Sequence, residues 1–291
     1  MSVLTCSSKL TALRTLLTHS FPQSLKVCGG LQHVLTGNAF RLEVLVDQWP
    51  DFSTVICRPS LQVMKDPSDQ YRNTYYLFTK DPQNLQKMLE DPHVVNWNQD
   101  ILMEGFHPEL GILLQKISSK HGRQMETIGY LLFTRDKLTD EELEKVNNIY
   151  SNEFSYTPLL VSEAPLVNNQ LVCGQKKQQS LHFIERCIQH LPSICVRKKG
   201  LDQPIGWLLA DCSMEYRIIY VTPAYRRLGL SHNMLLRFCA ASQEKGDLYC
   251  VCASLDNISA QGMIHKAGFQ FIGTWMEFYF KQKSYISNTN E

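Results

Sequence analysis

Residues 218–236 read IIYVTPAYRRLGLSHNMLL, and the pattern of this stretch indicates how the second half of the chain folds. Its apolar start, which ends at Val221, is typical of a buried strand. Pro223 interrupts the hydrogen-bonding ladder of that strand. The next turn contains Gly229, and the residues after it predict a helix from about 231 to 243 that stops at Gly246. The stretch therefore reads as a strand, a glycine-containing turn and a helix.

The turn between this strand and this helix is suited to binding phosphate. Glycine lets the backbone approach a ligand closely. The first N–H groups of a helix have no partner within the helix, and they lie at the positive end of its dipole. Two arginines can add charge-assisted hydrogen bonds. We therefore predict a diphosphate receptor, with a solvent-facing arginine-rich turn as the alternative. Its residues are Arg226, Arg227, Leu228, Gly229, Leu230 and Ser231.

Strands and helices are predicted on both sides of this stretch, so we expect an α/β (α+β) fold. In the second half we predict helices over 181–190 and 259–266, strands over 193–197, 205–211, 216–221 and 248–253, and a last strand after 269. In the first half we predict helices over 9–18, 83–90, 110–118 and 136–150, and strands over 41–46, 53–57, 74–79 and 128–133. Residues 151–179 are polar and weakly patterned. We therefore predict two domains, 1–155 and 156–291.

Length and charge limit the classes of protein to consider. The chain has 291 residues and a formal net charge of +1. This length suits two domains. A net charge near zero gives no general attraction to nucleic acid or acidic membranes, so any bound anion must be held by a local group of residues. No apolar stretch is long enough to span a bilayer. We expect no nucleic-acid partner, no membrane span and a monomer.

The ten cysteines are scattered and mostly lie beside apolar residues. No C-x-x-C pair occurs, and no group of Cys and His has the spacing of a zinc site. This pattern is typical of small buried side chains in a reducing compartment. We therefore expect no metal site.

The N-terminal segment is basic and rich in Ser and Thr. No Asp or Glu precedes Glu43, whereas Lys9 and Arg14 lie within the first predicted helix. One face of that helix is apolar and consists of Leu10, Leu13, Leu16 and Leu17. This composition is typical of a mitochondrial transit segment. The alternative is the first helix of the folded domain, and both can hold for one segment. We predict a mitochondrial location, with a cytoplasmic or endoplasmic-reticulum-associated one as the alternative.

The turn at 226–231 resembles the R-x-x-G-x-G/A pyrophosphate loop of the GNAT acyltransferase superfamily, with Ser231 in place of the last Gly or Ala. NISA (257–260) and KAGF (266–269) resemble its closing motif, which implies that Asn257 lies near the CoA arm. The superfamily often has a Tyr four residues before that Gly as acid toward the leaving thiolate, whereas this chain has Ile264. The resemblance implies a mixed, splayed sheet flanked by helices. Pantetheine would bind where the strands splay, near Tyr220, Val221 and Thr222.

Other sequence words resemble the vertebrate glycine N-acyltransferase family along nearly the whole chain. They are VDQWPDF (46–52), NTY (73–75), KDPQN (80–84), NW (96–97) and FIERC (183–187). The family usually has a Trp and a G-N-E-R-S string ahead of FIERC, whereas residues 171–180 here read LVCGQKKQQS. The resemblance implies a degenerate, related N-terminal α/β domain packed on a C-terminal GNAT domain. It also implies transfer of aryl or fatty acyl groups from CoA to glycine or a similar amino acid.

Glu215 is the candidate general base. It precedes the strand that leads to the phosphate turn, and in the family E-x-R precedes a Pro as Glu215, Arg217 and Pro223 do here. An ammonium must lose a proton before it attacks, and we expect shielding from water to raise the pKa of this carboxyl. The alternative is a solvated carboxylate in a hairpin turn. Alternation along the strand places Glu215 and Arg217 on one face.

The sequence therefore predicts an acyl-CoA:amino acid N-acyltransferase that joins an acyl group to glycine, or to glutamine, by direct attack in a ternary complex. Acyl-CoA is expected as a co-substrate, and no permanently bound cofactor is expected. Two alternatives stay open. One is an acyltransferase for protein lysines or N-termini, and the other is a homologue that binds acyl-CoA without turnover.

Overall fold

The computed structural model describes residues 1–105, 109–147, 153–171, 177–246 and 249–282. The helices in these ranges are α1 (Ser7–Thr18), α2 (Leu25–Leu35), α3 (Pro82–Glu90), α4 (Leu110–Lys120), α5 (Asp140–Asn147), α6 (Ala164–Asn169), α7 (Lys177–His190), α8 (Leu230–Lys245) and α9 (Ile258–Lys266). The strands are β1 (Ser2–Leu4), β2 (Leu42–Val46), β3 (Thr54–Pro59), β4 (Thr74–Thr79), β5 (Ile101–Gly105), β6 (Arg123–Thr134), β7 (Phe154–Thr157), β8 (Ser193–Lys198), β9 (Gly206–Ala210), β10 (Tyr216–Val221), β11 (Val251–Ser254) and β12 (Gln270–Gln282).

The strands form two sheets. The larger sheet has the order β1-β2-β3-β4-β5-β12-β6-β11, and the smaller has the order β10-β9-β8-β7. Among the described strands of the larger sheet, β4 and β5 pair in parallel and the other neighbours pair antiparallel, so this sheet is mixed. Helices flank this sheet, as the fold class predicted.

The two halves of the chain share the larger sheet. The long strand β12, near the end of the chain, lies between β5 and β6 from the first half. Glu277 on β12 is opposite Glu104 on one side and Ile128 on the other. The boundary between residues 155 and 156 stays a prediction. The strand pairing shows in addition that strands from both halves of the chain form one sheet.

Alternate residues of the first strands pack on opposite faces of the larger sheet. On one face, Val44, Tyr76 and their neighbours join a core that also includes buried residues of α1, α2 and α7. On the other face, Leu45 and Tyr75 pack with buried residues of α3 and α4. Helix α2 lies between this sheet and the second half of the chain, and its position there shapes the site described below.

The N-terminal segment is part of this fold. Strand β1 pairs with β2, and Leu10, Leu13 and Leu17 of α1 are buried in the core. Leu16 is 42% exposed, so its predicted place on the apolar face is wrong. The first-helix interpretation is confirmed, and the mitochondrial location stays a prediction. None of the helices in the described ranges combines the length and apolarity that crossing a membrane requires.

Local capping patterns are confirmed. Asp81 caps α3 by accepting a hydrogen bond from the N–H of Gln83 at 2.9 Å. Thr139 and Glu142 form the predicted capping box at α5. The helix predicted over 136–150 begins later, at Asp140, and its residues 148–150 lie outside the described ones. The strand predicted over 248–253 is β11, and its predicted first residue also lies outside them.

Sequence patterning did not predict five elements: β1, α2, β5, α6 and β7. Helix α2 is the one that matters for the site. It contains Gly29 and Gly30, which are poor helix formers. A Cβ on Gly29 would lie 1.8 Å from the carbonyl oxygen of Ser213, so the absence of a side chain there permits close contact between the helix and the second half of the chain. Tertiary contact therefore overrides helix propensity.

Candidate functional site

Strands β10 and β11 touch at their beginnings and then diverge. The N–H of Tyr216 donates to the carbonyl oxygen of Cys250 at 2.9 Å, and Glu215 forms an isolated parallel bridge with Cys250. Beyond this point β10 pairs with β9 of the smaller sheet, whereas β11 pairs with β6 of the larger one. The predicted splay is therefore confirmed, and it leaves two strand edges that face each other across a gap.

A groove of about 1270 Å³ runs along this gap. The predicted residues that line it are Glu215, Tyr220, Val221, Arg226, Arg227, Gly229, Leu230, Ser231 and Asn257. Thr222 and Leu228 are not among the lining residues, and Leu228 is 56% exposed. The Leu230 side chain is buried in the core, so only its backbone can face a ligand. The phosphate turn lies at one end of the groove and Glu215 lies where the strands meet.

The phosphate turn owes its shape to two left-handed residues. Gly229, with a φ of 76°, is the N-cap of α8, and Arg227 has a φ of 68°. The N–H of Asn233 donates to the carbonyl oxygen of Gly229 at 3.0 Å. The N–H groups of the helical residues before Asn233 precede this bond and are not paired in the i to i−4 pattern of the helix. Arg226 donates from Nε to the Val221 carbonyl at 2.9 Å and therefore fixes the turn against the end of β10. Arg227 is exposed beside the groove.

The closing motif has a structural role as well as a place in the groove. Asn257 caps α9 by accepting a hydrogen bond from the N–H of Ala260 at 3.0 Å. Ile264 is 1% exposed and packs in the core. His265 contacts Phe133 edge-on at 5.2 Å. Neither side chain offers a group that replaces the absent tyrosine.

Glu215 belongs to a buried group of charges, which we call the ion cluster: Lys26, Glu104, Asp211, Glu215, Arg217 and Glu277. The Lys26 ammonium lies 2.6 Å from Glu215 and also pairs with Glu104. Arg217 lies 2.6 Å from Glu277, 3.4 Å from both Glu104 and Asp211, and 3.9 Å from Glu215. The cluster therefore joins α2, β5, β10 and β12.

The surroundings of Glu215 correct one expectation and confirm another. Glu215 is 3% exposed, so the solvated-carboxylate alternative is wrong. Burial opposes its ionisation, but Lys26 and Arg217 outweigh burial, and the pKa of Glu215 is lowered. The expected raised pKa is therefore wrong, because sequence reasoning did not foresee the buried ammonium. Glu215 and Arg217 do come together, 3.9 Å apart, although the register of β10 shifts between Tyr216 and Ile218, so regular alternation does not by itself account for their contact.

Two other carboxyls of the cluster behave as Glu215 was expected to. Burial raises the pKa of Glu277, and the repulsion from Glu104 adds to it. Burial and the neighbouring Glu215 raise the pKa of Asp211. Glu277 lines the groove and accepts a hydrogen bond from the hydroxyl of Tyr279. Four carboxyls share two cations here, so the cluster favours a third positive charge.

Sequence reasoning missed Lys26, Glu104 and Glu277. Each is a single charged residue within an apolar run, in SLKVCGG, ILMEG and TWMEFYF respectively. Such a residue is rarely buried without a partner. A search for lone charges in apolar runs could have found all three, although it could not have shown that they meet.

A second, smaller cavity of about 30 Å³ adjoins the groove. The two share Tyr71, Leu102, Phe183 and Arg217. Its charged lining residues are Arg72, Glu104, Arg186, Asp211 and Arg217. Phe183 and Arg186 come from the FIERC segment of α7, so that segment forms a wall of the site. Of the altered LVCGQKKQQS region ahead of it, residues 172–176 lie outside the described ones.

Cysteine chemistry is disfavoured at the groove. All nine cysteines of the described ranges are free, and seven of them are buried. Cys252 lines the groove beside Glu215. Burial and Glu215 raise its pKa well above the usual value, so its thiol stays protonated and is a poor nucleophile.

Comparisons of the sequence with known proteins find relatives along the chain. A family described as aralkyl acyl-CoA:amino acid N-acyltransferase matches residues 1–192. Human glycine N-acyltransferase-like protein 1 is 33% identical over 285 residues, covering 92% of this chain and 93% of that protein. Rat glycine N-acyltransferase is 37% identical over 234 residues, covering 76% and 78%.

Solved structures match at the level of the fold. A Drosophila protein of 14% sequence identity has a TM-score of 0.76, with 97% of this chain and 99% of that chain covered. A tandem GNAT protein from the clavulanic acid biosynthesis pathway has 9% identity and a TM-score of 0.52, with 96% and 97% covered. The likeness extends over both halves of this chain.

Proposed function

This chain belongs to the glycine N-acyltransferase family, and from that membership we propose that it transfers an aryl or fatty acyl group from CoA to the amine of glycine, or of glutamine. The observation that carries the proposal is the splayed groove, which places a phosphate-binding turn at one end and buried carboxylates at the other. A diphosphate needs hydrogen-bond donors and positive charge, whereas a reacting ammonium needs a carboxylate, and the two ends of the groove offer these separately. The partners are thus acyl-CoA as co-substrate and a small amino acid, and a monomer remains our expectation.

The turn at the start of α8 holds the pyrophosphate of CoA in this proposal. The first-turn N–H groups after Gly229, together with the helix dipole, supply hydrogen bonds and partial positive charge. Arg227 adds a charge-assisted bond. The pantetheine follows the edge of β10 at Tyr220 and Val221, and Asn257 borders it from α9. A backbone N–H at the splay polarises the thioester carbonyl.

The reaction is direct transfer between two bound substrates. The amine nitrogen attacks the thioester carbon, a C–N bond forms, the C–S bond breaks, and CoA leaves as a thiolate that takes up a proton. The proton lost by the ammonium passes to a carboxylate. Positioning both substrates in one groove supplies much of the rate. No cysteine takes part, so an acyl-cysteine trapped during turnover would contradict the scheme.

Glu215 is the proposed catalytic carboxylate. It is ionised because Lys26 lies 2.6 Å away, and it lies where the strands meet, at the end of the groove away from the phosphate turn. An ionised carboxylate there attracts the ammonium and can accept its proton as the C–N bond forms. Glu277 is the second candidate, because its raised pKa makes it the stronger base and Tyr279 donates a hydrogen bond to it.

A homologue that binds acyl-CoA without turnover is the rival function. The observation that favours it is Ile264, which leaves the usual tyrosine position apolar. Tyr279 weakens that objection, because this residue lines the same groove and its hydroxyl donates a hydrogen bond to Glu277. A protein acyltransferase is the other rival, and comparing peptides with free amino acids as acceptors separates it from the proposal.

Thiol release tests the function. Benzoyl-CoA, phenylacetyl-CoA and a long-chain acyl-CoA are each incubated with and without glycine or glutamine, using wild type, Glu215→Gln and a control, Glu126→Gln. Glu126 is an exposed partner of Lys281 at 2.9 Å. Amino-acid-dependent release that Glu215→Gln loses and Glu126→Gln keeps supports both the reaction and the residue. Tight acyl-CoA binding without release from any pair supports the non-catalytic rival.

A further inference from the structure

Charged side chains of both signs line the small cavity beside the groove. They include the arginines Arg72 and Arg186 and the carboxyls of Glu104 and Asp211. Arg217 lines both the cavity and the groove, and the two carboxyls that line the cavity belong to the ion cluster. A ligand in the cavity therefore meets groups of both charges.

The Arg186 guanidinium has an unused hydrogen-bond donor. Its Nε is buried, and in the described part of the chain it has neither a hydrogen bond nor a carboxylate within 4 Å. Asp69 pairs with Arg72 at 3.4 Å and also attracts Arg186 from beyond 4 Å, yet burial and Arg72 lower the pKa of Arg186 in spite of that attraction. The Arg186 guanidinium instead lies 4.8 Å from the Phe40 ring centre. A half-buried guanidinium with unused donors is costly, and a planar carboxylate matches its fork.

The carboxyls that line the cavity, in contrast, favour a further positive charge. Four buried carboxyls of the ion cluster share the charges of Lys26 and Arg217. An ammonium near Glu104 and Asp211 would offset part of this excess. Arg186 thus has an unused donor, the ion cluster has more carboxyls than cations, and Arg186, Glu104, Asp211 and Arg217 all line this cavity.

We propose that the acceptor amino acid binds across this cavity, with its carboxylate on Arg186 and its ammonium toward Glu104, Asp211 and the entrance to the groove at Arg217. The ligand class is a small zwitterionic α-amino acid. This assignment rests on the function proposed above and adds the residues that recognise the acceptor. It gives the FIERC segment a role in binding, since Arg186 and Phe183 both come from it.

The dimensions of the cavity limit the acceptor. About 30 Å³ holds roughly two water molecules, or a carboxylate group in their place. The rest of the ligand must therefore extend toward the groove, past the rings of Tyr71 and Phe183, which stack at 4.6 Å. Glycine, without a side chain, meets this condition better than glutamine does.

Acceptor kinetics test the proposal on three variants: Arg186→Met, Arg186→Lys and the control Arg197→Met. Arg197 pairs with Glu163 at 2.7 Å and lines neither cavity. The KM for glycine should rise roughly 10- to 100-fold in Arg186→Met, while the KM for acyl-CoA stays unchanged. The preference of wild type for glycine over glycinamide, which lacks the carboxylate, should disappear. Arg186→Lys should lose part of both, and Arg197→Met neither.

Retention of the wild-type KM for glycine and of its preference over glycinamide in Arg186→Met would overturn the assignment. If Arg186→Met does not fold, the same result in Arg186→Lys would overturn it. If wild type releases no thiol with any amine, the proposed function fails, and dialysis of radiolabelled glycine against protein with bound CoA tests the site alone. Glycine retained by wild type and lost from Arg186→Lys supports the site, and equal retention refutes it.

Discussion

The ammonium of Lys26 lies 2.6 Å from a carboxylate oxygen of Glu215, and so a helix of the first half of the chain fixes the charge of the carboxylate at the splay of the second half. Lys26 is fully buried and also pairs with Glu104 on β5. Attraction to both carboxylates outweighs burial and holds the pKa of Lys26 well above its usual value. The site is therefore a product of both halves.

Removing this ammonium should destabilise the protein strongly. Lys26→Met leaves Glu104 and Glu215 buried without their cation, and the free energy of unfolding should fall by about 3–5 kcal/mol at neutral pH. The deficit should shrink on acidification, because protonation neutralises the stranded carboxylates. Urea unfolding measures the change. Lys145→Met, which removes an exposed pair with Glu141, serves as the control and should leave the midpoint unchanged. Equal midpoints for both variants would contradict the prediction.

The pH dependence of turnover should identify the proton acceptor. The acceptor must be ionised, so kcat at saturating glycine falls as the pH drops through its pKa. The pKa of Glu215 is lowered from 4.5, so an acid limb that belongs to Glu215 lies below pH 4.5. The pKa of Glu277 is raised from 4.5, so its limb lies above that pH. The variants Glu215→Gln and Glu277→Gln complete the test, because only substitution of the acceptor abolishes the limb. A limb that persists unchanged in both would exclude both residues.

Arg227 should contribute to CoA affinity through the diphosphate. Arg227→Met removes one exposed charge-assisted bond, and the KM for acyl-CoA should rise about ten-fold. The KM for acyl-pantetheine, which has no diphosphate, should not change. The control is Arg237→Met on α8, the helix that follows this turn, since the Arg237 guanidinium lies over Tyr156 at 4.6 Å and does not line the groove. An equal rise for both thioesters would show that Arg227 acts on the structure of the turn instead.

The contact between α2 and the Asp211–Glu215 turn should tolerate no side chain at Gly29. A Cβ there would lie 1.8 Å from the Ser213 carbonyl oxygen, so Gly29→Ala must move the helix that carries Lys26. We expect a loss of about 1–3 kcal/mol in unfolding free energy, together with a lower kcat. Gly262→Ala is the matched control. It lies in α9 with open space around its Cβ and should gain about 0.5–1 kcal/mol. Thermal unfolding that ranks the two variants in the opposite order would refute the contact.

Local chemistry made much of the fold and part of the site predictable. The Asp81 cap, the Thr139–Glu142 capping box and the glycine turn before α8 depend on neighbours within a few residues, and each was found where the sequence placed it. Helix α2 was not predicted, because Gly29 and Gly30 disfavour a helix locally and only their contacts with the rest of the chain justify them.

The sequence by itself determined that a strand, a glycine-containing turn and a helix follow one another, because hydrophobic period, glycine and proline act over short distances. It also singled out Glu215. Only the tertiary structure decided the charge state of that carboxyl, which depends on Lys26 from α2. It likewise brought Arg186 to the same cavity as Asp211. The physical reason is that Coulombic and desolvation energies depend on distance in space, and the order of strands in a sheet sets those distances between residues far apart in the chain.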